Sequence, residues 1–259
     1  MISSVPDING YSSYTYKICD TLSDGLTYDT GSVKVKIDDS TDLANTYYTV
    51  NASGQNIEIT FKIKDAIDAN VISQGKKLYT YYTATLNTSA KVAGPAADTT
   101  NYNENTAYLE YSNNPYDTTV GKTPESKVYD WTYKYTIKKV DKNGNPLSGA
   151  GFTITAGGTA LKFTQQAGTT NYVVDPNGTI TEIKTDATGS FAILGLDDNI
   201  KYTLEETTVP KGYSKCDDVD LTFASTYNTT GNELLTLTAT VNNAKSHDDS
   251  TATIENISG

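Results

Sequence analysis

The sequence predicts an all-β chain folded as two tandem β-sandwiches, and three observations carry the prediction. Twenty tyrosines in 259 residues, alongside abundant Thr, Val and Ile, favour strands over helices. Short alternating runs are punctuated by Asn-Gly, Asp-Gly and Gly-Gly pairs, the turn chemistry of sandwiches and barrels. The length leaves room for two domains that each bury their own core.

Taken in order, the first sandwich covers residues 1–128. Its strands are read in the alternating runs Tyr14–Ile18, Val33–Ile37, Ile57–Ile63, Leu78–Leu86 and Ala107–Tyr111. The run Asp65–Lys77 is the one helix-like candidate, a short helix or turn. Asn87–Asn105 and Ser112–Ser126 hold Gly, Pro and Asn among polar residues and read as irregular. The second sandwich covers 129–259, with the boundary placed near Lys127 and Trp131 expected to pack at the junction. Its strands follow through Tyr133–Val140, Phe152–Thr155, Phe191–Leu196, Tyr202–Glu206, Val219–Ser225, Leu234–Val241 and Thr251–Asn256. Pro176-Asn177-Gly178 reads as a hairpin turn between two strands. The stretches Thr159–Asp175 and Ser214–Asn232 are expected to form extended loops or hairpins.

Composition excludes several functions. The net charge is −11 with no Lys/Arg cluster, so neither nucleic acid nor an anionic membrane is an expected partner. No apolar run is long enough to cross a bilayer. The opening Met1–Gly10 lacks the basic and apolar regions of a signal peptide, so a secreted parent protein is expected to contain this chain as a piece. Cys19 and Cys216 fall in different sandwiches, fit neither a disulfide framework nor a metal motif, and are expected to remain thiols. His247 is the single histidine, which leaves little basis for a Ser-His triad or a zinc site. Asp38–Thr46 lacks the ligand spacing of an EF-hand, and no phosphate-binding motif appears. No metal, no cofactor and no turnover of an external substrate is expected.

Strand alternation sorts inward from outward positions without a structure. Tyr133, Tyr135 and Ile137 share one face, and Lys139 continues it. Tyr202 and Leu204 share a face that Glu206 continues, and Ala252 and Ile254 share one that Asn256 continues. One Lys, one Glu and one Asn thus point inward, unless each sits at a frayed strand end where polar side chains escape. Buried without partners, such groups cost several kcal/mol.

Together these residue types suit one reaction. An apolar environment disfavours the charged forms of an amine and a carboxyl alike. A neutral amine is a nucleophile toward the carboxamide carbon of an Asn. A protonated carboxyl stabilises the developing oxyanion and passes a proton to the departing ammonia. The product is an amide joining two strands, an intramolecular isopeptide bond, and the fold supplies the proximity.

The residues that carry this pattern also resemble a known family. Ile137–Phe152, Phe191–Leu196, Tyr202–Tyr213 and Thr253–Asn256 are similar to the CnaB-type repeat of Gram-positive adhesins and pilins, an immunoglobulin-like sandwich. The resemblance spans the second sandwich. It implies Lys139 as the nucleophile, Glu206 as the acid/base and Asn256 as the acceptor, the same residues that alternation selects.

The first sandwich resembles the CnaA-like domain that precedes such a repeat in backbone pilins, on Tyr14–Val35, Tyr82–Asn87 and Asn105–Pro115. That resemblance implies a second site. Tyr14, Tyr16 and Ile18 share a face that Asp20 continues, making Asp20 the candidate acid, or else a cap for the turn at Thr21–Gly25. Asn105 shares a face with Ala107 and Leu109 and is the candidate acceptor. No lysine fits, because Lys34, Lys36, Lys62 and Lys64 lie on the polar alternates of their strands. In the family the lysine strand precedes the segment corresponding to Val5–Tyr11. The first strand is therefore expected to be cut off, leaving a sheet edge able to pair with another chain.

By this resemblance the expected function is structural: a pilus shaft module, extracellular and anchored to the cell wall, with sortase linkage to other pilin subunits. The chain contains neither a Leu-Pro-x-Thr-Gly nor a Tyr-Pro-Lys motif. A host-binding adhesin with a protein or glycan ligand is the alternative, on the tyrosine-bearing loops Ala96–Tyr108 and Ala224–Asn232.

Overall fold

The structure, a computed structural model, describes residues 1–94 and 99–258. Strands dominate it, with one short α-helix and one 3-10 turn among the described residues. The chain divides into two compact units. The first comprises Met1–Thr85 and Glu104–Val128, the second Leu86–Asn103 and Tyr129–Gly259. Part of the irregular stretch Asn87–Asn105 therefore belongs to the second unit, and its residues 95–98 lie outside the described residues.

In the first unit, one sheet has the order Ile2–Ser4, Lys77–Tyr81, Lys34–Ile37, Thr41–Asp42. The other runs Val120–Lys122, Asn103–Ser112, Tyr16–Leu22, Asn56–Phe61, Tyr48–Ser53. The inward alternates Tyr16, Ile18, Leu22, Ile57, Ile59, Phe61, Val35 and Leu78 are buried and form its core. The strand Tyr48–Ser53 is legible only in the fold. It lies at a sheet edge with its side chains largely exposed, so it carries no apolar alternation to read. The helix is Ile63–Asp68, beginning upstream of the expected run because Ile63 and Ala66 are the residues it buries.

The second unit is built from two larger sheets. One has the order Phe163–Gln165, Asn171–Val174, Ser190–Leu196, Tyr133–Asp141, Thr251–Asn256, Ser246–His247. The other has Thr159–Ala160, Gly151–Ala156, Tyr202–Thr208, Val219–Tyr227, Leu234–Asn242. Aromatic and aliphatic alternates from both sheets, including Tyr133, Tyr135, Phe152, Phe191, Leu204 and Phe223, form one core. The stretch Ser214–Asn232 contains the strand Val219–Tyr227, which pairs with Leu234–Asn242 as a long hairpin. Trp131 packs within this unit, its indole N–H donating to the Gly231 carbonyl at 3.0 Å and its ring lying against Tyr102 and Tyr227.

One expected turn is corrected. Pro176-Asn177-Gly178 does make a tight turn, with the Gly178 N–H donating to the Asp175 carbonyl. It does not join paired strands. The chain leaves Asn171–Val174 in one sheet and reaches Ile183–Lys184, which pairs with Gly151–Ala156 in the other. Gly178 is needed because any Cβ there would lie 2.5 Å from the Phe163 carbonyl oxygen, closer than atoms pack.

Candidate functional site

The candidate site of the second unit is assembled from both of its sheets. Tyr133–Asp141 and Thr251–Asn256 run parallel, with Lys139 opposite Ile254 and Asp141 opposite Asn256. Side chains two residues apart share a face, so Lys139 and Asn256 emerge as diagonal neighbours on the inner face. Glu206 comes from the other sheet, where it is paired with Phe152. The register of that pair shifts between Gly151 and Phe152, a bulge of the kind that re-aims side chains.

Backbone contacts pin the lysine. The Lys139 N–H donates to the Gly189 carbonyl at 2.8 Å, and its own carbonyl accepts from the Leu147 N–H at 2.9 Å. Gly189 has φ of +71°, and a Cβ there would fall 2.7 Å from the Lys139 carbonyl oxygen. Only glycine meets both requirements without displacing the strand that carries the lysine.

All three side chains are shut off from solvent: Lys139 and Asn256 are 0% exposed and Glu206 1%. The Lys139 Nζ lies 3.6 Å from Glu206 Oε1. The Asn256 amide N–H donates to the same Oε1 at 2.9 Å. Glu206 Oε2 accepts from the backbone N–H of Cys216 at 2.9 Å. The Phe152 ring centroid sits 5.6 Å from the Lys139 Nζ. Among the described residues, Lys139 Nζ and Asn256 Oδ1 have no hydrogen-bond partner. An unpartnered amine and an unpartnered carboxamide oxygen in one dry pocket are costly groups to leave unpaired.

This arrangement supplies each part of an amide-forming reaction. The amine of Lys139 and the carboxamide of Asn256 are neighbours in adjacent strands, and one carboxyl oxygen addresses both. The Asn256 nitrogen that would depart as ammonia is the atom already bonded to Glu206. With water excluded, a charge-separated amine and carboxyl are poorly supported.

In the first unit the predicted acid and acceptor also meet. Asp20 is 2% exposed and accepts from the Tyr82 hydroxyl at 3.0 Å and from the Asn105 amide at 3.4 Å, both at Oδ2. Burial pushes the Asp20 carboxyl above its ordinary range, while the bonds from Tyr82 and Asn105 oppose the shift. The other carboxyl oxygen of Asp20, Oδ1, and the carboxamide oxygen of Asn105 have no partner among the described residues. Asp20 lies within the strand Tyr16–Leu22 rather than capping the turn that follows it. No described lysine pairs with it: Lys17 bridges Glu58 and Glu110, Lys64 bridges Asp68, and Lys76 bridges Asp38.

Three contributors escaped the sequence reading. Tyr82 was part of a recognised strand run, but nothing local marks its hydroxyl as the donor to Asp20. Phe152 was legible as core, not as the ring beside the amine. Cys216 belongs to no sequence motif, yet its backbone N–H holds the Glu206 carboxyl. Both cysteines are free, Cys19 buried and Cys216 half-buried. Among the described residues no group of His, Cys, Asp or Glu is arranged to hold a metal ion. No described helix is long and apolar enough to cross a membrane.

The fold has close counterparts. Residues 133–240 match the family profile of the SpaA prealbumin-like fold domain. The 35 kDa C-terminal fragment of the major pilin GBS80 of Streptococcus agalactiae is 24% identical, with a TM-score of 0.65 over 98% of this chain and 90% of that one. Domains D2 and D3 of the major pilin SpaD from Corynebacterium diphtheriae are 19% identical, with a TM-score of 0.60 over 99% and 91%. The pilus 2b backbone protein of group B streptococcus is 21% identical, with a TM-score of 0.57 over 100% and 91%. At these identities the likeness is one of fold, and it extends through both units. No curated protein matches the sequence.

Proposed function

We propose that this chain is a shaft segment of a Gram-positive surface pilus, stiffened by a covalent bond that the second unit makes in itself. The observation that carries the reading is the buried constellation of Lys139, Glu206 and Asn256, found in a two-unit fold shared with several major pilins. Lys139 Nζ attacks the Asn256 side-chain carbonyl carbon, and Glu206 takes the proton from the amine and delivers it to the leaving nitrogen. One amide forms and one ammonia departs, so atoms balance without any co-reactant. Proximity and a preplaced acid/base do the work of catalysis. The chemistry happens once per molecule, and no external substrate is turned over.

A pulled shaft benefits from the placement of this bond. It ties the strand that opens the second unit to the strand that closes it, Tyr133–Asp141 to Thr251–Asn256. Tension entering at one end and leaving at the other passes through the amide rather than through the sheets. Other pilin subunits are the partners this role requires, with the chain lying outside the cell and anchored to the wall.

The first unit is read as a second site of the same type awaiting its amine. Asp20 and Asn105 stand together with free oxygens. A groove of about 480 Å³, lined by Ile2, Ile18, Ala107, Leu109 and Pro124, runs along the same strand pair. A lysine brought within reach of Asp20 and Asn105 would supply a nucleophile. The alternative of a ligand-binding head rested on loop tyrosines, and two of these are engaged in packing: Tyr102 lies against Tyr129 and Trp131, and Tyr227 bonds the Tyr133 hydroxyl at 2.5 Å.

The test is the intact mass of the denatured, reduced protein. A mass lower than that of the sequence by one ammonia, restored by Lys139→Ala and by Asn256→Ala, supports the clamp. A full sequence mass removes the mechanism and leaves an acidic two-unit stalk.

A further inference from the structure

We propose that the Lys139 amine has a second, oxidative fate: a sulfur–nitrogen bond to Cys216 in any molecule whose amide to Asn256 has not formed. The inference rests on the reading of Lys139 as a buried, reactive amine. It adds a modification site and a reversible covalent state of the same pocket.

The geometry places the backbone amide of Cys216 and the amine of Lys139 on one carboxyl. Glu206 Oε2 accepts from the Cys216 backbone N–H at 2.9 Å, while its Oε1 lies 3.6 Å from Lys139 Nζ. The Cys216 side chain packs against the core cluster that includes Phe152. Its thiol interacts with both Lys139 and Glu206: burial raises the thiol's pKa, the amine opposes the rise, and the carboxyl adds to it. Lys139 Nζ is fully buried and has no hydrogen-bond partner among the described residues.

Access separates the two cysteines. Cys216 is half-buried, in the segment between Tyr202–Thr208 and Val219–Tyr227, whereas Cys19 is buried in a sheet interior. Oxidation of a thiol follows exposure as well as thiolate character. A small peroxide therefore reaches Cys216 first.

The chemistry balances in two steps. Hydrogen peroxide converts the thiol to a sulfenic acid and is reduced to water. The Lys139 nitrogen then attacks the electrophilic sulfur, expelling hydroxide, which leaves as water with the proton released by the amine. Sulfenic acids condense with nitrogen in this way to give sulfenamides. Glu206, within reach of the amine, carries that proton. The net change is the loss of two hydrogens, and an excess of small thiol restores both side chains while forming its own disulfide.

The experiment uses the full chain with Cys19→Ala, which removes any disulfide between the two cysteines, and Asn256→Ala, which keeps Lys139 free. After mild hydrogen peroxide, the denatured mass is expected to fall by two hydrogens. Digestion should yield one peptide joining Lys139 to Cys216, reversed by dithiothreitol and absent when Lys139→Met is added. Gains of one to three oxygens with no joined peptide, or a two-hydrogen loss that survives Lys139→Met, overturn the proposal. Because removing Asn256 from the core could impair folding, Glu206→Gln is run in parallel with Cys19→Ala, and folding is checked by circular dichroism. In this second variant the joined peptide is expected to form more slowly, and its absence from both folded proteins also overturns the proposal. The amide reading is scored separately, by ammonia loss in the unsubstituted chain, so the two ideas fail independently.

Discussion

The amine of Lys139 and the carboxyl of Glu206 lie 3.6 Å apart, on strands of opposite sheets, with both side chains sealed from solvent. A buried pair of this kind is weak as a source of stability, because desolvating two charges offsets most of their attraction. Its presence in the core of the second unit, with Asn256 bonded to the same carboxyl oxygen, is what the proposed amide-forming reaction requires. Once the amide forms, neither the amine nor the ammonia nitrogen remains to be satisfied.

Stability should therefore depend on the lysine far more than on a packing contact. A cross-link from Lys139 to Asn256 closes a long loop, and loops of such length are worth about 5 kcal/mol in the chain-entropy account. Lys139→Ala is expected to lower the second unit's thermal midpoint by several degrees or more. Trp131 is the single tryptophan and is buried in this unit, so its fluorescence follows the transition.

Glu206 acts on rate rather than on the identity of the product. Glu206→Ala is expected to slow amide formation by about 10²-fold or more, the range for loss of a positioned acid/base. The time course of ammonia loss, read by mass after expression and incubation, checks this. Bond formation at the unsubstituted rate would falsify the assigned role.

Gly189 is the most demanding neighbour of the lysine. Gly189→Ala combines a left-handed backbone with a Cβ 2.7 Å from the Lys139 carbonyl oxygen and 2.9 Å from the Pro146 Cβ. A cost of about 1–3 kcal/mol is expected from overpacking alone, with slower amide formation because the lysine strand must move. Denaturant unfolding and the mass time course read the two effects separately. Gly212 also has positive φ, but nothing lies within 4 Å of its Cβ position; Gly212→Ala should be strained without affecting the reaction.

The first unit should respond to acid in the opposite sense from most carboxylates. Burial raises the Asp20 pKa above its ordinary 3.8, so the folded state binds this proton more tightly than the unfolded chain. The penalty is present at pH above the folded pKa and shrinks as pH falls through it, levelling off below 3.8. Asp20→Asn is expected to raise the first unit's stability at neutral pH and to flatten this part of its acid profile. Thermal unfolding of both proteins across that range is the measurement; an unchanged profile would mean that burial does not raise the Asp20 pKa in the folded state.

How much of this was legible beforehand differs from residue to residue. That Lys139, Glu206 and Asn256 point inward follows from the period of two along each strand, a property of the pleat that needs no partner strand. The same rule put Asp20 on the core face and kept Lys34 and Lys36 off it. The turn pairs and alternating runs behind the two-sandwich plan were equally local. Tyr48–Ser53 was invisible because an exposed edge strand carries no pattern, and the turn at Gly178 misled because tight turns look alike whether or not they join paired strands.

What the tertiary structure alone decided is which inward positions meet. Parallel pairing of Tyr133–Asp141 with Thr251–Asn256 brings together residues from opposite ends of the second unit. Stacking of the second sheet delivers Glu206 to both, and the loop back from Tyr213 lays the Cys216 amide on its other oxygen. Assignment of Leu86–Asn103 to the second unit is of the same kind. Alternation is written residue by residue along one strand; register, sheet stacking and loop return are contacts between distant segments, settled only when the whole core packs.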